Sequence, residues 1–293
     1  RLNLPFLIIH CILNLSFPKQ SARYSEKIIN YNKKALNMRL HLCQSDIHWE
    51  DPNKNINDLN QELKKIQISS GDLIILPEMY STGFSMRQGI CCDLVEGEQN
   101  AVKFLKDLSK QYSCCIIGGL ATKREGEFYN ESLAALPDGN LISYKKVNLF
   151  PLAQEDKTYS PGKYLETFKW NSWIIGMSIC YDLRFPEIYR ELASKNSNLI
   201  VNIANWPMDR IDHWVTLLKA RAIENQCFVA GVNRTGTDPN SIYNGRSMII
   251  DPLGQIIVDA GETKGIFSSE IEIDKVNSWR NDFPALKSMK SKI

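Results

Sequence analysis

The sequence lacks the motifs by which many proteins bind metals, nucleotides and nucleic acids. It contains no Cys-x-x-Cys pair and no Gly-x-x-x-x-Gly-Lys-Ser/Thr loop. Its 35 basic residues are balanced by 33 acidic ones, and no basic patch is interleaved with aromatic residues. Zinc sites, phosphate-binding loops and nucleic-acid surfaces depend on such features. The sequence therefore gives no support for a bound metal or for nucleic acid as a partner.

Cysteines are too sparse for a disulfide scaffold, with eight in 293 residues. Two adjacent pairs, Cys91-Cys92 and Cys114-Cys115, and several cysteines inside apolar runs indicate reduced thiols in a protein core. Reduced thiols are typical of a reducing compartment, so we expect a cytoplasmic protein.

Residues 1–37 differ in composition from the rest of the chain. No acidic residue precedes Glu26, and residues 2–17 are mostly apolar, but this run is too short and interrupted for a membrane span. We therefore expect no stable membrane association. Two interpretations remain: a targeting segment for an organelle, or a non-native extension before a start at Met38. The cysteine usage favours the second, and the segment is excluded from the fold.

From Met38 onward, strand-like and helix-like segments alternate without an internal repeat or a linker. This alternation predicts one α/β domain over 38–284, with sheets covered by helices, followed by a tail over 285–293. The predicted strands are 38–45, 72–76, 114–119, 132–136, 141–147, 174–180, 199–204, 227–232, 247–250, 255–258 and 266–273. The predicted helices are 55–69, 98–111, 186–195 and 211–225.

Three chemically capable residues occupy equivalent places, at or just past the end of a predicted strand: Glu78, Lys146 and Cys180. A thiol where a strand turns into a helix meets unpaired N–H groups and the helix dipole, which lower a thiol pKa. Taken singly, each residue is more often a core thiol or the first solvated position of a loop. Together they supply the base, the oxyanion partner and the nucleophile that acyl transfer on a thiol needs.

Histidine, the usual base of cysteine enzymes, is scarce and poorly placed. His41 and His48 lie on or near the first strand, His213 begins a helix, and His10 lies in the excluded segment. A Cys/His dyad is therefore the weaker hypothesis, and Glu78 is the better candidate for the base.

Three segments make the chain similar to a known family. They are LPEM at 76–79, KKVNLF at 145–150 and CYDLRFPE at 180–187. In order, spacing and strand-end context they resemble the signature regions of the nitrilase superfamily of carbon–nitrogen hydrolases, over about residues 38–284. The resemblance implies a four-layer α-β-β-α sandwich, a Glu-Lys-Cys triad, a thioester acyl-enzyme, no cofactor, and assembly as a homodimer or higher homo-oligomer.

The resemblance also implies a role for each matching residue. Glu78 is expected to be the general base, Cys180 the nucleophile, and Lys146 the cation that stabilises the tetrahedral intermediate. The backbone N–H of Tyr181 is the expected second oxyanion donor. Glu155 matches a further glutamate that positions the lysine and the substrate amide.

One position departs from the family pattern. Members often carry histidine two residues after the lysine, whereas this sequence has Asn148. A proton-shuttling role there is not part of the family mechanism. We therefore interpret Asn148 as a difference in loop packing.

Further segments resemble one subgroup, the ω-amidases, which hydrolyse the side-chain amide of 2-oxoglutaramate or 2-oxosuccinamate. They are ANWP at 204–207, LKARAIENQ at 218–226 and VNRTG at 232–236. On this resemblance, Asn205 and Trp206 line the acyl pocket, and Tyr80 and Phe84 are candidate aromatic walls. An ordinary capped turn with a half-buried indole is the alternative interpretation of Asn205 and Trp206.

Other activities remain open at this stage. Within the superfamily, they are a deaminated-glutathione or other aliphatic amidase, an N-carbamoyl amide hydrolase and a nitrilase, all acting on a small molecule. A non-catalytic binding protein with the same fold is the alternative of another class. The presence of Glu78, Lys146 and Cys180 together argues against it, because a binding protein needs no such set.

Overall fold

The computed structural model describes residues 37–90, 92–93 and 100–289. The predicted N-terminal extension lies outside the described residues except for Asn37, which already belongs to the first strand. Of the predicted C-terminal tail, residues 285–288 form a 3₁₀ helix, and 290–293 lie outside the described residues. The backbone N–H of Leu286 donates to Gln226 Oε1, so this part of the tail contacts the body of the domain.

Strands and helices alternate along the described chain. The helices are α1 (Pro52–Leu63), α2 (Asn100–Tyr112), α3 (Glu155–Thr158), α4 (Pro186–Ser194), α5 (Ile211–Asn225) and α6 (Ile273–Asp282). The strands are β1 (Asn37–Gln44), β2 (Leu73–Ile75), β3 (Cys92–Asp93), β4 (Cys115–Arg124), β5 (Glu127–Ala135), β6 (Leu141–Lys145), β7 (Thr167–Trp170), β8 (Trp173–Ile179), β9 (Leu199–Ala204), β10 (Phe228–Asn233), β11 (Thr235–Thr237), β12 (Ile242–Asn244), β13 (Met248–Ile250), β14 (Ile256–Asp259) and β15 (Gly265–Glu272).

The strands form two large mixed sheets and a small hairpin of β11 and β12. The first sheet has the order β15-β1-β2-β4-β5-β6, with β3 beside β4, and the second has the order β14-β13-β10-β9-β8-β7. Strands β2 and β4 are parallel. Strand β5 is antiparallel to both β4 and β6, so β6 runs in the same direction as β2 and β4. The carboxyl ends of β2 and β6 therefore meet at one edge, which is where Glu78 and Lys146 follow.

Three apolar cores separate four layers. Alternate residues of one strand point to opposite faces of a sheet, so Ile75 enters the core between the two sheets, whereas Ile74 enters the core under α1 and α2. A third core joins α4 and α5 to the outer face of the second sheet, with Leu192 and Leu218 against Ile200. The arrangement is the α-β-β-α sandwich that the family resemblance implied.

Several element boundaries differ from the sequence-based predictions. The first helix was predicted over 55–69, but it begins at Pro52 and ends at Leu63. The side chain of Asp51 accepts a hydrogen bond from the N–H of Lys54, which caps the helix earlier than the apolar spacing alone indicated. Ile66 still packs against the core, although it lies beyond the helix. Helix α6 and strand β7 had no counterpart in the prediction.

No helix within the described ranges is long and apolar enough to cross a membrane.

Candidate active site

Glu78 lies directly after β2, in a segment that runs along β4. The N–H of Gly119 donates to the carbonyl of Pro77, and the N–H of Tyr80 donates to the carbonyl of Gly119. A Cβ atom on Gly119 would lie 2.6 Å from Glu78 Cα, so only glycine lets the two backbones approach this closely. The side chain of Glu78 is fully buried.

Lys146 follows β6 and is also fully buried. Its Nζ donates to Glu78 Oε1 at 3.1 Å and to Glu155 at 3.0 Å (Oε1) and 2.8 Å (Oε2). Burial by itself would lower the pKa of Lys146, but the carboxylates of Glu155 and Glu78 outweigh it and raise that pKa above its ordinary value. Lys146 is therefore a cation held between two carboxylates.

Glu155 opens α3, immediately after Gln154, whose φ of 58° is left-handed. Besides its bonds to Lys146, Glu155 accepts the N–H of Phe150 at 2.7 Å through Oε2. Burial raises the pKa of Glu155, the charge of Lys146 opposes that rise, and the charge of Glu78 adds to it. The structure thus brings Glu155 together with Glu78 and Lys146.

Cys180 stands at a sharp turn between β8 and a 3₁₀ helix over Cys180–Arg184, with a left-handed φ of 44°. Non-glycine residues seldom adopt this conformation, and where they do, function is a common reason. Four of the five cysteines whose side chains are described are buried, and Cys180 is the partly exposed one. Its Sγ lies 3.8 Å from the carbonyl oxygen of Asn205.

The thiol of Cys180 is not activated by its position near a helix start. Burial raises its pKa well above the ordinary value, and the charge of Glu78 raises it further, whereas Lys146 opposes the rise. The sequence-based expectation that a helix dipole lowers this pKa was therefore wrong, because burial and the neighbouring carboxylate dominate. The α-helix itself begins only at Pro186.

Asp182 connects the Cys180 turn to the segment after Lys146. Its Oδ2 accepts the N–H of Ile179 at 3.0 Å and the hydroxyl of Tyr144 at 2.7 Å. Its Oδ1 accepts the backbone N–H of Asn148 at 2.9 Å and the side-chain amide of that residue at 3.1 Å. This confirms the interpretation of Asn148 as a loop-packing residue.

Asn205 contacts the candidate base directly. Its backbone N–H donates to Glu78 Oε2 at 2.7 Å, and its side-chain amide donates to the carbonyl oxygen of Glu78 at 2.7 Å. The sequence placed Asn205 on the wall of an acyl pocket, whereas its amide group is bound to the backbone and carboxylate of Glu78. It therefore orients the glutamate from the second sheet.

Trp206 lies beside this group and is nearly buried. Its indole packs against Trp214 at 5.5 Å between ring centroids, and the guanidinium of Arg184 lies 4.7 Å from its ring centroid. Arg184 also lies 6.0 Å from the ring of Tyr181, next to Cys180. The sequence had not marked Arg184 as a binding residue.

A second guanidinium lies near the same aromatic residues. Arg210 is 5.8 Å from the ring of Phe150, which in turn lies 5.0 Å from the ring of Tyr181. Arg210 pairs with Asp209 at 2.8 Å, and the Asp209 side chain is 67% exposed. Such an exposed ion pair contributes little to stability.

The two predicted aromatic walls have different positions. The ring of Phe84 lies 5.3 Å from Lys146 Nζ, so it borders the buried charges. Tyr80 does not border them: its ring packs against Phe104 in the core beneath the helices, and its hydroxyl donates to the carbonyl of Ala101. The reason is the left-handed φ of 46° at Met79, which breaks strand alternation between Glu78 and Tyr80.

Asn130, which no sequence motif marked, lies at the centre of the site. This fully buried residue of β5 donates from Nδ2 to Glu78 Oε1 at 2.6 Å and to Glu155 Oε1 at 2.7 Å. The sequence carried no signal for it, because the strand was predicted only from residue 132, whereas it begins at Glu127.

No group of three or more His, Cys, Asp or Glu side chains within the described ranges is arranged to hold a metal ion.

Comparisons with known sequences place this arrangement among hydrolases. The carbon–nitrogen hydrolase family profile matches residues 39–281. The omega-amidase YafV of Yersinia enterocolitica is 36% identical over 85% of this chain and 95% of its own length. The 2-oxoglutaramate amidase of Bacillus subtilis is 34% identical over 84% and 95%, respectively. The hydrolase in the agr operon of Staphylococcus aureus is 33% identical over 86% and 98%.

Solved structures share the fold. XC1258 from Xanthomonas campestris, a CN-hydrolase superfamily protein with an arsenic adduct in its active site, superposes with a TM-score of 0.82 and is 34% identical. The superposition covers 88% of this chain and 98% of that protein. Nit3 of Saccharomyces cerevisiae, from the nitrilase superfamily, has a TM-score of 0.79 over 88% of this chain and 97% of its own, at 23% identity, and supports the fold alone.

Proposed function

The chain belongs to the carbon–nitrogen hydrolase family, and on this premise we propose that it is an ω-amidase. It would hydrolyse the side-chain amide of a small 2-oxo acid, such as 2-oxoglutaramate or 2-oxosuccinamate, to the 2-oxo acid and ammonia. The observation that carries the proposal is Cys180, the partly exposed one of the described cysteines, together with the buried group of Glu78, Lys146 and Glu155. The relatives named omega-amidase and 2-oxoglutaramate amidase support the choice of substrate class.

In the acylation step, Glu78 accepts the thiol proton as Cys180 Sγ attacks the amide carbon. A base is required because burial and Glu78 keep the pKa of this thiol high, so the resting group is S–H. The carbonyl π electrons move to oxygen, and Lys146 with the N–H of Tyr181 stabilises that charge. The C–N bond then breaks, and the leaving nitrogen takes a proton from Glu78 and departs as ammonia.

In the deacylation step, Glu78 takes a proton from water, and the resulting hydroxide attacks the thioester carbon. The C–S bond breaks, the acid is released, and the sulfur recovers a proton from Glu78. Lys146 serves both steps as a permanent cation because Glu155 and Glu78 hold its pKa above the ordinary value. Glu155 positions Lys146 and the substrate amide.

The substrate class requires a cation for its carboxylate. Lys146 is already bonded to two carboxylates, so a separate group is needed. Arg184 and Arg210, packed on the aromatic residues next to Cys180, are the candidates that we propose. Guanidinium groups pair with carboxylates through two parallel hydrogen bonds. This favours an acidic amide over a neutral nitrile. Trp206 and Phe84 would then border the acyl chain.

A substrate screen tests the proposal. We expect the purified protein to release ammonia from 2-oxoglutaramate faster than from deaminated glutathione, an N-carbamoyl amino acid or a simple nitrile. Preference for any of the other three would replace the substrate assignment. Absence of ammonia release from all four would favour a binding protein.

The nucleophile is tested with a matched pair of cysteine variants. Cys180→Ala should release no ammonia, whereas Cys227→Ala should retain activity because Cys227 is buried in the core between the second sheet and helices α4 and α5. In the wild type, iodoacetamide should label Cys180 first, and substrate should protect it. Ammonia release by purified Cys180→Ala would exclude the proposed thioester.

We further propose that the protein is a cytoplasmic homodimer or higher homo-oligomer, with its catalytic domain over 38–284. The described cysteines are free thiols, which suits a reducing compartment. Ile223 on α5 and Leu253 in the turn after β13 are 51% and 45% exposed, and a Cβ atom on Gly254 would touch Ile223. This neighbouring apolar pair supports self-association. Light scattering of the wild type and Ile223→Asp would test it, since the variant should have a lower mass.

A further inference from the structure

Asn130 on β5 and Lys146 just after β6 bridge the same two carboxylate oxygens. Asn130 Nδ2 donates to Oε1 of Glu78 and to Oε1 of Glu155. Lys146 Nζ donates to both of these atoms as well. The backbone N–H of Lys146 in turn donates to the carbonyl of Asn130 at 2.9 Å. The four residues therefore form a closed ring of hydrogen bonds.

The ring carries more negative than positive charge. Two ionised carboxylates and one ammonium leave a formal charge of −1 in a fully buried site. Like charges at this separation drive one carboxyl group to take up a proton unless hydrogen-bond donors oppose it. A carboxamide –NH₂ has two N–H donors, and in Asn130 each is used by one carboxylate.

The orientation of the carboxamide is set by these neighbours. With the amide reversed, Oδ1 would face the two carboxylate oxygens that now accept from Nδ2. In the observed orientation, Oδ1 is buried and accepts no hydrogen bond from the described residues. An unpaired buried acceptor is unfavourable, so the two donor contacts on the other side are what retains asparagine here.

From this geometry we infer that Asn130 is a positioning residue, which holds Glu78 and Glu155 side by side as carboxylates around Lys146. It rests on the proposed function only in that Glu78 is taken as the base for Cys180. Asn130 acts through Glu78 and does not contact the reacting sulfur. Hydrogen-bond donors favour the charged form of a carboxylate, and the bond from Asn130 opposes the rise in the pKa of Glu155. Without it, the pair of carboxylates retains a proton to higher pH and the base is lost.

The chain offers a matched control in Asn202. This residue is also a fully buried strand asparagine with an unpaired Oδ1. Its Nδ2 donates to two neutral hydroxyls, those of Ser178 at 3.1 Å and Tyr189 at 2.9 Å. Asn202→Ala therefore removes the same group from a similar environment without uncovering a carboxylate.

The experiment follows alkylation of Cys180 by iodoacetamide as a function of pH, with mass spectrometry of the labelled peptide. This readout needs no substrate. We expect the acid limb of the profile to move to higher pH by about one unit or more in Asn130→Ala, because the carboxylates lose two donors. The limb should stay in place in Asn202→Ala. With 2-oxoglutaramate, kcat/KM of Asn130→Ala at neutral pH should fall about tenfold or more and recover partly at higher pH.

The outcomes of this experiment distinguish a failure of the role inferred for Asn130 from a failure of the proposed substrate. If the Asn130→Ala alkylation profile coincides with that of the wild type, the inference is wrong. If the profile moves but the wild type does not hydrolyse 2-oxoglutaramate, the inference stands and the proposed substrate fails. If Asn130→Ala does not fold, Asn130→Asp keeps the side-chain volume and replaces the donors by a third carboxyl group. Its profile should also move to higher pH, and an unmoved profile would equally overturn the inference.

Discussion

Asp182 and Asn148, which are 34 positions apart, join the nucleophile turn to the lysine segment through two hydrogen bonds on one carboxylate oxygen. The other oxygen of Asp182 binds the N–H of Ile179, just before Cys180. This buried carboxylate therefore fixes the position of the sulfur relative to Lys146, across the boundary between the two sheets.

Asp182→Asn should damage both stability and activity. Asparagine replaces one of the two acceptor oxygens of Asp182 by an NH₂ group, which is a donor. The buried N–H or O–H groups that donate to that oxygen then lose their acceptor. We expect a loss of about 3 kcal/mol in the free energy of unfolding, measured by urea denaturation. The matched variant Asn148→Ala removes only one of these donors and should cost about 1 kcal/mol. Equal stabilities for Asp182→Asn and the wild type would show that this carboxylate does not join the two segments.

Adjacent glycines allow a sharp test of the approach between β4 and Glu78. A Cβ atom on Gly119 would meet Glu78 Cα at 2.6 Å and Met79 N at 2.8 Å, both backbone atoms. On Gly118, the three atoms nearest to such a Cβ belong to side chains, those of Leu105 and Tyr80, at 3.1 Å. Gly119→Ala should therefore lower kcat by about 100-fold through displacement of Glu78. Gly118→Ala should change kcat little, and comparable losses of kcat in the two variants would contradict this account.

Loss of the Lys146 cation should make stability depend on pH in a defined direction. In Lys146→Met, two buried carboxylates lose their shared cation, so the folded state takes up a proton that the unfolded state does not bind near neutral pH. Burial already raises the pKa of Glu155 in the wild type. Because the folded state then binds more protons, stability must rise as pH falls.

We expect Lys146→Met to be destabilised by about 3–5 kcal/mol at slightly alkaline pH, and by less in mild acid. Urea denaturation across this pH range measures both values. Lys65→Met is the control, since Lys65 forms an exposed pair with Glu62 at 2.7 Å. A stability of Lys146→Met that falls with decreasing pH would have the wrong sign.

Recognition of the substrate carboxylate should depend on guanidinium groups beside Cys180. Arg184→Gln should raise KM for 2-oxoglutaramate by about 10-fold or more, as expected for the loss of a charge-assisted hydrogen bond. Turnover of an uncharged aliphatic amide should be unchanged. Arg210→Gln tests the second candidate in the same way, and Arg39→Gln, distant on β1 with its side chain 44% exposed, is the control. If both candidate variants retain the wild-type KM, the carboxylate is bound elsewhere.

Much of the fold could be predicted from local pattern. Apolar runs such as 199–204 and the helix over 211–225 were predicted at the positions where the structure has them. These elements bury one face or both, so their periodicity is explicit in the sequence. Boundaries set by a single cap were predicted less well, as at Asp51, because one hydrogen bond outweighs a weak periodic signal.

Part of the candidate site could also be predicted from local pattern, and part could not. Residue types at predicted strand ends pointed to Glu78, Lys146 and Cys180, because acyl transfer on a thiol needs a base, a cation and a nucleophile. The role of Asn205 was less accessible. Its contact with Glu78 spans 127 positions and two sheets, and no local pattern encodes such a pair.

By itself, the sequence determined the alternation of strands and helices and the chemical identity of the reactive groups, since these depend on composition and on short-range order. The four layers were implied by the resemblance of its motifs to a known family. Only the tertiary structure decided which polar groups share a buried volume. It placed Tyr80 outside the site, turned the amide of Asn205 onto Glu78, and brought Asn130 between two carboxylates. The physical reason is that buried charge is governed by every donor within about 3 Å, and those donors come from distant strands.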